Sequence, residues 1–114
     1  MKLHEKHCAA CSGEVPPLPN DEKQRLLSQL ADGWALTHDK TRLFRDFTFV
    51  HFQPALEFAN KVGEIAEKEW HHPELHVGWG HCGVEIWTHK IDNLVESDFI
   101  LAAKVDQLFS SLKS

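Results

Sequence analysis

No stretch of this chain is long and apolar enough to cross a bilayer. The longest uninterrupted apolar run, Phe99 to Ala103, is five residues, where a spanning helix needs about 20. The opening MKLHEKHCAACSG lacks the apolar middle region of a secretory signal. No cluster of Lys and Arg occurs, and the net charge is −5 with histidines neutral. Both facts argue against a phosphate-backbone partner, so neither nucleic acid nor membrane is expected. Cysteine is scarce: three residues cannot all pair within the chain, and the reading is a cytoplasmic protein. Gly-x-Ser-x-Gly elbows, Gly-rich phosphate loops and HExxH are all missing, which removes the common nucleophile, phosphate and zinc-protease schemes. There is no low-complexity segment and no internal repeat beyond a doubled strand pair.

What is present describes one ordinary globular domain. A chain of 114 residues with 42% apolar and 25% charged residues supports a single hydrophobic core. Residues 1–20, with three prolines in GEVPPLPN, read as a loose leader, and residues 21–114 as the domain. Asn20 or Asp21 can cap a helix to about Asp32, ended by Gly33. WALTHD and RLFRDFTFV read as paired strands turning near Asp39–Lys40. Phe52, Ala55, Leu56, Ala59, Val62 and Ala66 then recur at three and four, which predicts an amphipathic helix over about 52–70. Pro54 falls in its first turn and Pro73 stops it. Leu75–Trp79 and Val84–His89 are two further strands joined by GHCG, and a last helix runs from Ser97 or Asp98 to about Leu112. The order α-β-β-α-β-β-α predicts an α+β fold, a four-stranded antiparallel sheet with helices on one face. The uncovered face or an edge strand could support self-association.

The unusual number is nine histidines, groups that titrate near neutrality. The segment AEKEWHHPELHVGWG, residues 66–80, sets His71 and His72 where a helix should end. Glu67 lies one helical turn before His71, and a carboxylate beside an imidazole favours the protonated ring, as does the negative end of the helix dipole. His71 is thus a candidate proton donor. Pro73 forces His72 toward extended backbone, so it should point elsewhere. His89, on the strand face of Trp87 and Glu85, can meet the helix end if the two last strands pair. Trp34 and Trp79 fall at strand ends where they could stack on a flat heterocycle. His4, His7, His38, His51 and His81 read as exposed or turn histidines, and His76 is given no role. Histidines at helix ends commonly do no more than bond the last carbonyls. No metal is expected. Pro73 breaks the helical spacing of His72 and His76, and Cys8-x2-Cys11 after His7 is half of a zinc motif without a second pair.

Glu67, three residues, His71-His72-Pro73, five residues, Trp79, nine residues, His89, eight residues, Asp98 is a pattern with fixed spacing. It resembles the signature of the pterin-4a-carbinolamine dehydratases. The resemblance runs over about residues 21–110 and takes in FTFVHFQPALEFANKVGEIAEK, THKIDNLVESDFILAAKVDQ and Trp34 after Gly33. The leader is similar to that of bacterial members. The resemblance implies a lyase that dehydrates 4a-hydroxytetrahydropterin to quinonoid dihydropterin and water, without metal or organic cofactor. That reaction recycles the pterin of aromatic amino-acid hydroxylases. It implies His71 and His89 as proton donors or acceptors, His72 as a pterin-holding residue able to serve as base, Glu67 as the group orienting His71, and Asp98 as fixing the last helix or a neighbouring side chain. A homo-oligomer, dimer or tetramer, is expected. The runner-up readings are a related pterin-binding protein of molybdopterin metabolism and a non-catalytic interaction module.

Overall fold

Alternation along residues 42–48 places Leu43, Arg45 and Phe47 on one side of a strand and Phe44 and Asp46 on the other. In the computed structural model of the protein, which describes residues 2–7 and 16–113 (the side chain of residue 113 excepted), this alternation organises the sheet. The elements are α1 (Asn20–Leu27), β1 (Ala35–Thr37), β2 (Arg42–Thr48), α2 (Phe52–Glu69), β3 (Glu74–Gly78), β4 (His81–Ile86) and α3 (Glu96–Lys113). The strands form one antiparallel sheet in the order β1-β2-β4-β3. Register sets Leu43 opposite Ile86, Phe47 opposite Cys82 and Leu75 opposite Val84. Their side chains share the face covered by α2 and α3, while Phe44, Asp46, His76 and Glu85 lie on the open face.

The covered face is an aromatic core. Phe47 packs at 4.8 Å from both Phe58 of α2 and Phe109 of α3, and Phe49 at 5.3 Å from Phe58. Such tilted and edge-on pairs suit the ring quadrupoles. Leu43, Val62, Val84, Ile86, Leu101 and Val105 fill the rest and are fully buried; each such side chain contributes about 1.5–3 kcal/mol. The α+β architecture therefore follows the expected order of elements, with both long helices against one side of the sheet.

Several local expectations are corrected. Pro19, not Asn20 or Asp21, occupies the N-cap of α1, and no side chain caps it. The helix ends at Leu27 because Gln29 and Leu30 donate to carbonyls only three residues back, a tightening last turn. Phe52 and Leu56 of α2 are exposed rather than inward. GHCG is not the hairpin loop: the turn is Trp79–Gly80, and His81, Cys82 and Gly83 already pair in β4. The leader is not loose where it is described. Leu3 is buried in the core cluster, and the Leu18 amide donates to the Leu94 carbonyl at 2.9 Å. Cys8 and Cys11 lie outside the described residues.

Candidate active site

The site begins with the way α2 ends. Trp70, directly after Glu69, takes a left-handed backbone, φ 53°, a conformation that costs a non-glycine residue about 1–2 kcal/mol. Its amide and that of His71 both donate to the Ala66 carbonyl, so the last turn closes on a single acceptor. The helix thus ends three residues ahead of Pro73 by an αL cap, and the chain reverses direction there. His71 turns inward and His72 outward.

Inside, His71 is 5% exposed and its Nε2 stands 2.6 Å from Oδ1 of Asp98, which is fully buried. The other Asp98 oxygen accepts from the Thr88 hydroxyl and the Val95 amide, each at 2.8 Å. With a carboxylate as the acceptor, the His71 bond is assigned as Nε2–H donating to Asp98, which leaves Nδ1 as the ring nitrogen without a hydrogen bond among the described residues. Asp98 also lies in the first turn of α3, where the helix dipole favours negative charge. Outside, His72 Nε2 is 2.6 Å from Glu67 Oε2, and both side chains are open to solvent. The Trp70 ring stands 5.2 Å from the His72 ring.

The third imidazole comes from the loop after β4. That strand stops at Ile86, so His89 is a loop residue and not a strand tip. The loop is tied by the Thr88 amide donating to the Asn93 carbonyl at 2.9 Å. Trp87 fixes its other side: its ring lies 4.2 Å from that of His89 and under the Arg42 guanidinium at 4.1 Å. A cleft of about 240 Å³ is lined by His71, His72 and His89 together with Trp70, Trp87 and Thr88. A larger cavity of about 350 Å³ flanks α2 and α3 but holds one imidazole, His4, beside Ile65 and Leu108. Convergence of three imidazoles, not volume, singles out the smaller one.

The expected set is therefore rearranged. Glu67 does not touch His71, because the left-handed Trp70 takes His71 off the helical path on which residues four apart meet; Glu67 meets His72 instead. Asp98, far away in sequence, is the partner of His71, and through Val95 it also fixes the start of α3. Trp34 is not at the cleft. It is buried, donating from Nε1 to Asp106 at 2.8 Å and packing edge-on to Phe47 at 6.0 Å. Trp79 is exposed in the β3–β4 turn, a strand length of roughly 16 Å from the histidine end. The cleft tryptophans are Trp70 and Trp87. Trp70 directly precedes His71 and Trp87 stands two residues before His89, and an aromatic ring so close to each histidine was the signal that could have found them. Thr88 carried none.

This combination of sheet, helices and clustered histidines can be set beside known proteins. Residues 16–108 match the pattern of the pterin 4 alpha carbinolamine dehydratase family. The chain belongs to that family. A relative from Rickettsia bellii (strain OSU 85-389) is 51% identical over 106 residues, 93% of either chain. One from Rubrobacter xylanophilus is 50% identical over 107 residues, 94% of this chain and 98% of the relative. Both carry the name "Putative pterin-4-alpha-carbinolamine dehydratase". Among solved structures, a transcriptional coactivator/pterin dehydratase from Brucella melitensis superposes with a TM-score of 0.75 at 29% identity, covering 82% of this chain and 98% of that one. The family pattern spans all three cleft histidines, Glu67 and Asp98, so every imidazole–carboxylate contact of the cleft lies within it.

Proposed function

We propose that the chain is a hydro-lyase that removes water from 4a-hydroxytetrahydropterin, giving quinonoid dihydropterin, with the cleft histidines as its acids and bases. Hydroxide leaves poorly, so the C4a–O bond breaks only as an acid gives the departing oxygen a proton. A base takes a ring N–H proton, and the electron pair of that bond closes the new double bond. Protons balance: one is given to the oxygen, one is taken from the ring, and water leaves. Such general acid–base catalysis contributes typically ~10²–10⁴-fold.

The observation that carries this reading is the buried His71–Asp98 pair opening onto the same cleft as His72 and His89. Asp98 holds His71 in one tautomer, so Nδ1 is the nitrogen available for proton exchange. His89, against Trp87, is its counterpart at the 4a centre. His72, oriented by Glu67, holds the pterin and can accept the ring proton. Trp70 and Trp87 offer aromatic surface to a flat bicyclic substrate. In this reading the protein is a cytoplasmic homo-oligomer that regenerates the pterin used by aromatic amino-acid hydroxylases.

The test is spectrophotometric. The carbinolamine is generated in situ by a pterin-dependent hydroxylase, and its decay is followed with the wild-type protein and with His71→Ala/His89→Ala. Wild type is expected to accelerate decay and the double variant to return it to about the spontaneous rate. Equal decay with both proteins would dismiss the proposal and leave a non-catalytic module.

A further inference from the structure

Ahead of the family pattern, which starts at residue 16, residues 2–7 lie along α3 and end between the terminus of α2, which leads into His71, and the start of α3, which carries its partner Asp98. Leu3–Glu5 forms a single 3₁₀ turn, and Leu3 is 5% exposed within the core cluster. Lys104 of α3 donates from Nζ to the His4 carbonyl at 2.9 Å. Two residues on, Lys6 Nζ reaches Glu96 at 3.0 Å, and His7 Nδ1 reaches Glu69 at 3.2 Å.

Those two carboxylates are not arbitrary surface charges. Glu69 is the last residue of α2, next to the left-handed Trp70 and two before His71. Glu96 is the first residue of α3, two before Asp98. The Glu69 side chain is 5% exposed at a helix C-terminus, where the dipole disfavours negative charge. Lys104 at 3.8 Å supplies an opposing positive charge, and the His7 ring a polar contact. Exposed ion pairs such as Lys6–Glu96 are individually weak, so the buried Leu3 and the part-buried Lys104–His4 hydrogen bond anchor the segment, while Lys104 also reaches Glu69 at the end of α2.

We infer that residues 2–7 form a brace joining the end of α2 to the start of α3, and that Leu3 and Glu69 are positioning residues that hold His71 on Asp98. The hydrogen bond between His71 and Asp98 spans these same two helix ends, so loosening the brace lets the imidazole drift from its carboxylate. Misplacement of a reacting group on the ångström scale costs up to ~10²-fold in rate. Only the activity arm of the test rests on the proposed dehydration.

The experiment uses the full chain carrying Leu3→Ala, Glu69→Gln or Lys6→Ala/His7→Ala. Two quantities are read: the His71 Nε2–H proton signal by NMR, and kcat and KM for carbinolamine decay. Leu3→Ala and Glu69→Gln are expected to broaden the Nε2–H signal by faster solvent exchange and to lower kcat roughly 3–10-fold, with KM within about twofold. The double variant, which removes only exposed groups, is expected to shift both in the same direction by less. If Leu3→Ala and Glu69→Gln lower Tm while the Nε2–H signal stays sharp, the brace is refuted and the segment only stabilises the fold. Should the wild type prove inactive on the carbinolamine, the dehydration reading fails, and the proton signal alone still decides the brace.

Discussion

Two imidazole–carboxylate pairs stand side by side in this protein, made by adjacent histidines at the same separation of 2.6 Å, and they are physically unlike. His71 and Asp98 are 5% and 0% exposed in their side chains, whereas His72 and Glu67 are 48% and 69% exposed. Distance alone would rank them as equals. Burial separates them. Water competes for and screens the outer pair, so it contributes about 0–1 kcal/mol and leaves both side chains free to adjust. The inner pair has no solvent to fall back on, and the rest of the Asp98 carboxylate is engaged by Thr88 and Val95. The inner imidazole is held in one orientation, while the outer one can follow a ligand.

The comparison breaks most visibly when Asp98 is removed. Asp98→Ala should destabilise the fold by roughly 3–5 kcal/mol in urea unfolding, because it strands a buried imidazole and two buried donors. A loss under about 1 kcal/mol would mean the inner pair is no more than the outer one. His89→Ala sharpens the contrast from the other side. It is an exposed loop residue, so stability should change by about 0.5 kcal/mol or less, yet carbinolamine decay should slow by about 10²-fold. Equal retention of both would remove His89 from the chemistry. Glu67→Ala comes next, with a stability loss of about 1 kcal/mol or less that shrinks further in salt; a loss as large as that of Asp98→Ala would erase the distinction.

The smallest effect concerns Cys82, fully buried in β4, whose thiol is pushed up to about 11 by burial and, secondarily, by the charge of Asp46. From its ordinary value near 9.0 up to about 11, the unfolded chain loses a proton the folded chain keeps. Stability therefore falls as pH rises through that window. Cys82→Ala should flatten this alkaline decline in thermal melts; an unchanged slope would show that another group sets it.

What the residues revealed before folding, and what they hid, divides along the same line. The period of three and four along α2 and the alternation along β2 are local and placed the helices and sheet correctly. The HHP segment marked the cleft because proline and paired imidazoles are visible without tertiary information. The partner of each imidazole was not visible. The rule that residues four apart on a helix meet assigned Glu67 to His71, and it fails because Trp70 leaves the helix through a left-handed turn. A tryptophan in that conformation has no sequence signature, unlike the glycine that usually occupies it. Asp98 reaches His71 across 27 positions, which only the packing of α3 against the end of α2 determines. Trp34 and Trp79 were misplaced for a related reason. Strand ends look alike in sequence, and only the pairing order β1-β2-β4-β3 says which end faces the histidines. Leu3 was overlooked because one buried residue in a polar leader makes no period.

The central claim is that the buried pair, rather than its exposed neighbour, governs the proton transfer. One measurement addresses it: the rate of carbinolamine decay with Asp98→Asn set against Glu67→Gln under identical conditions. Asparagine removes the charge that holds the His71 tautomer, so the first variant should be slowed by about 10²-fold or more, and the second by about tenfold or less. Equal rates for the two variants, or the reverse order, would contradict it.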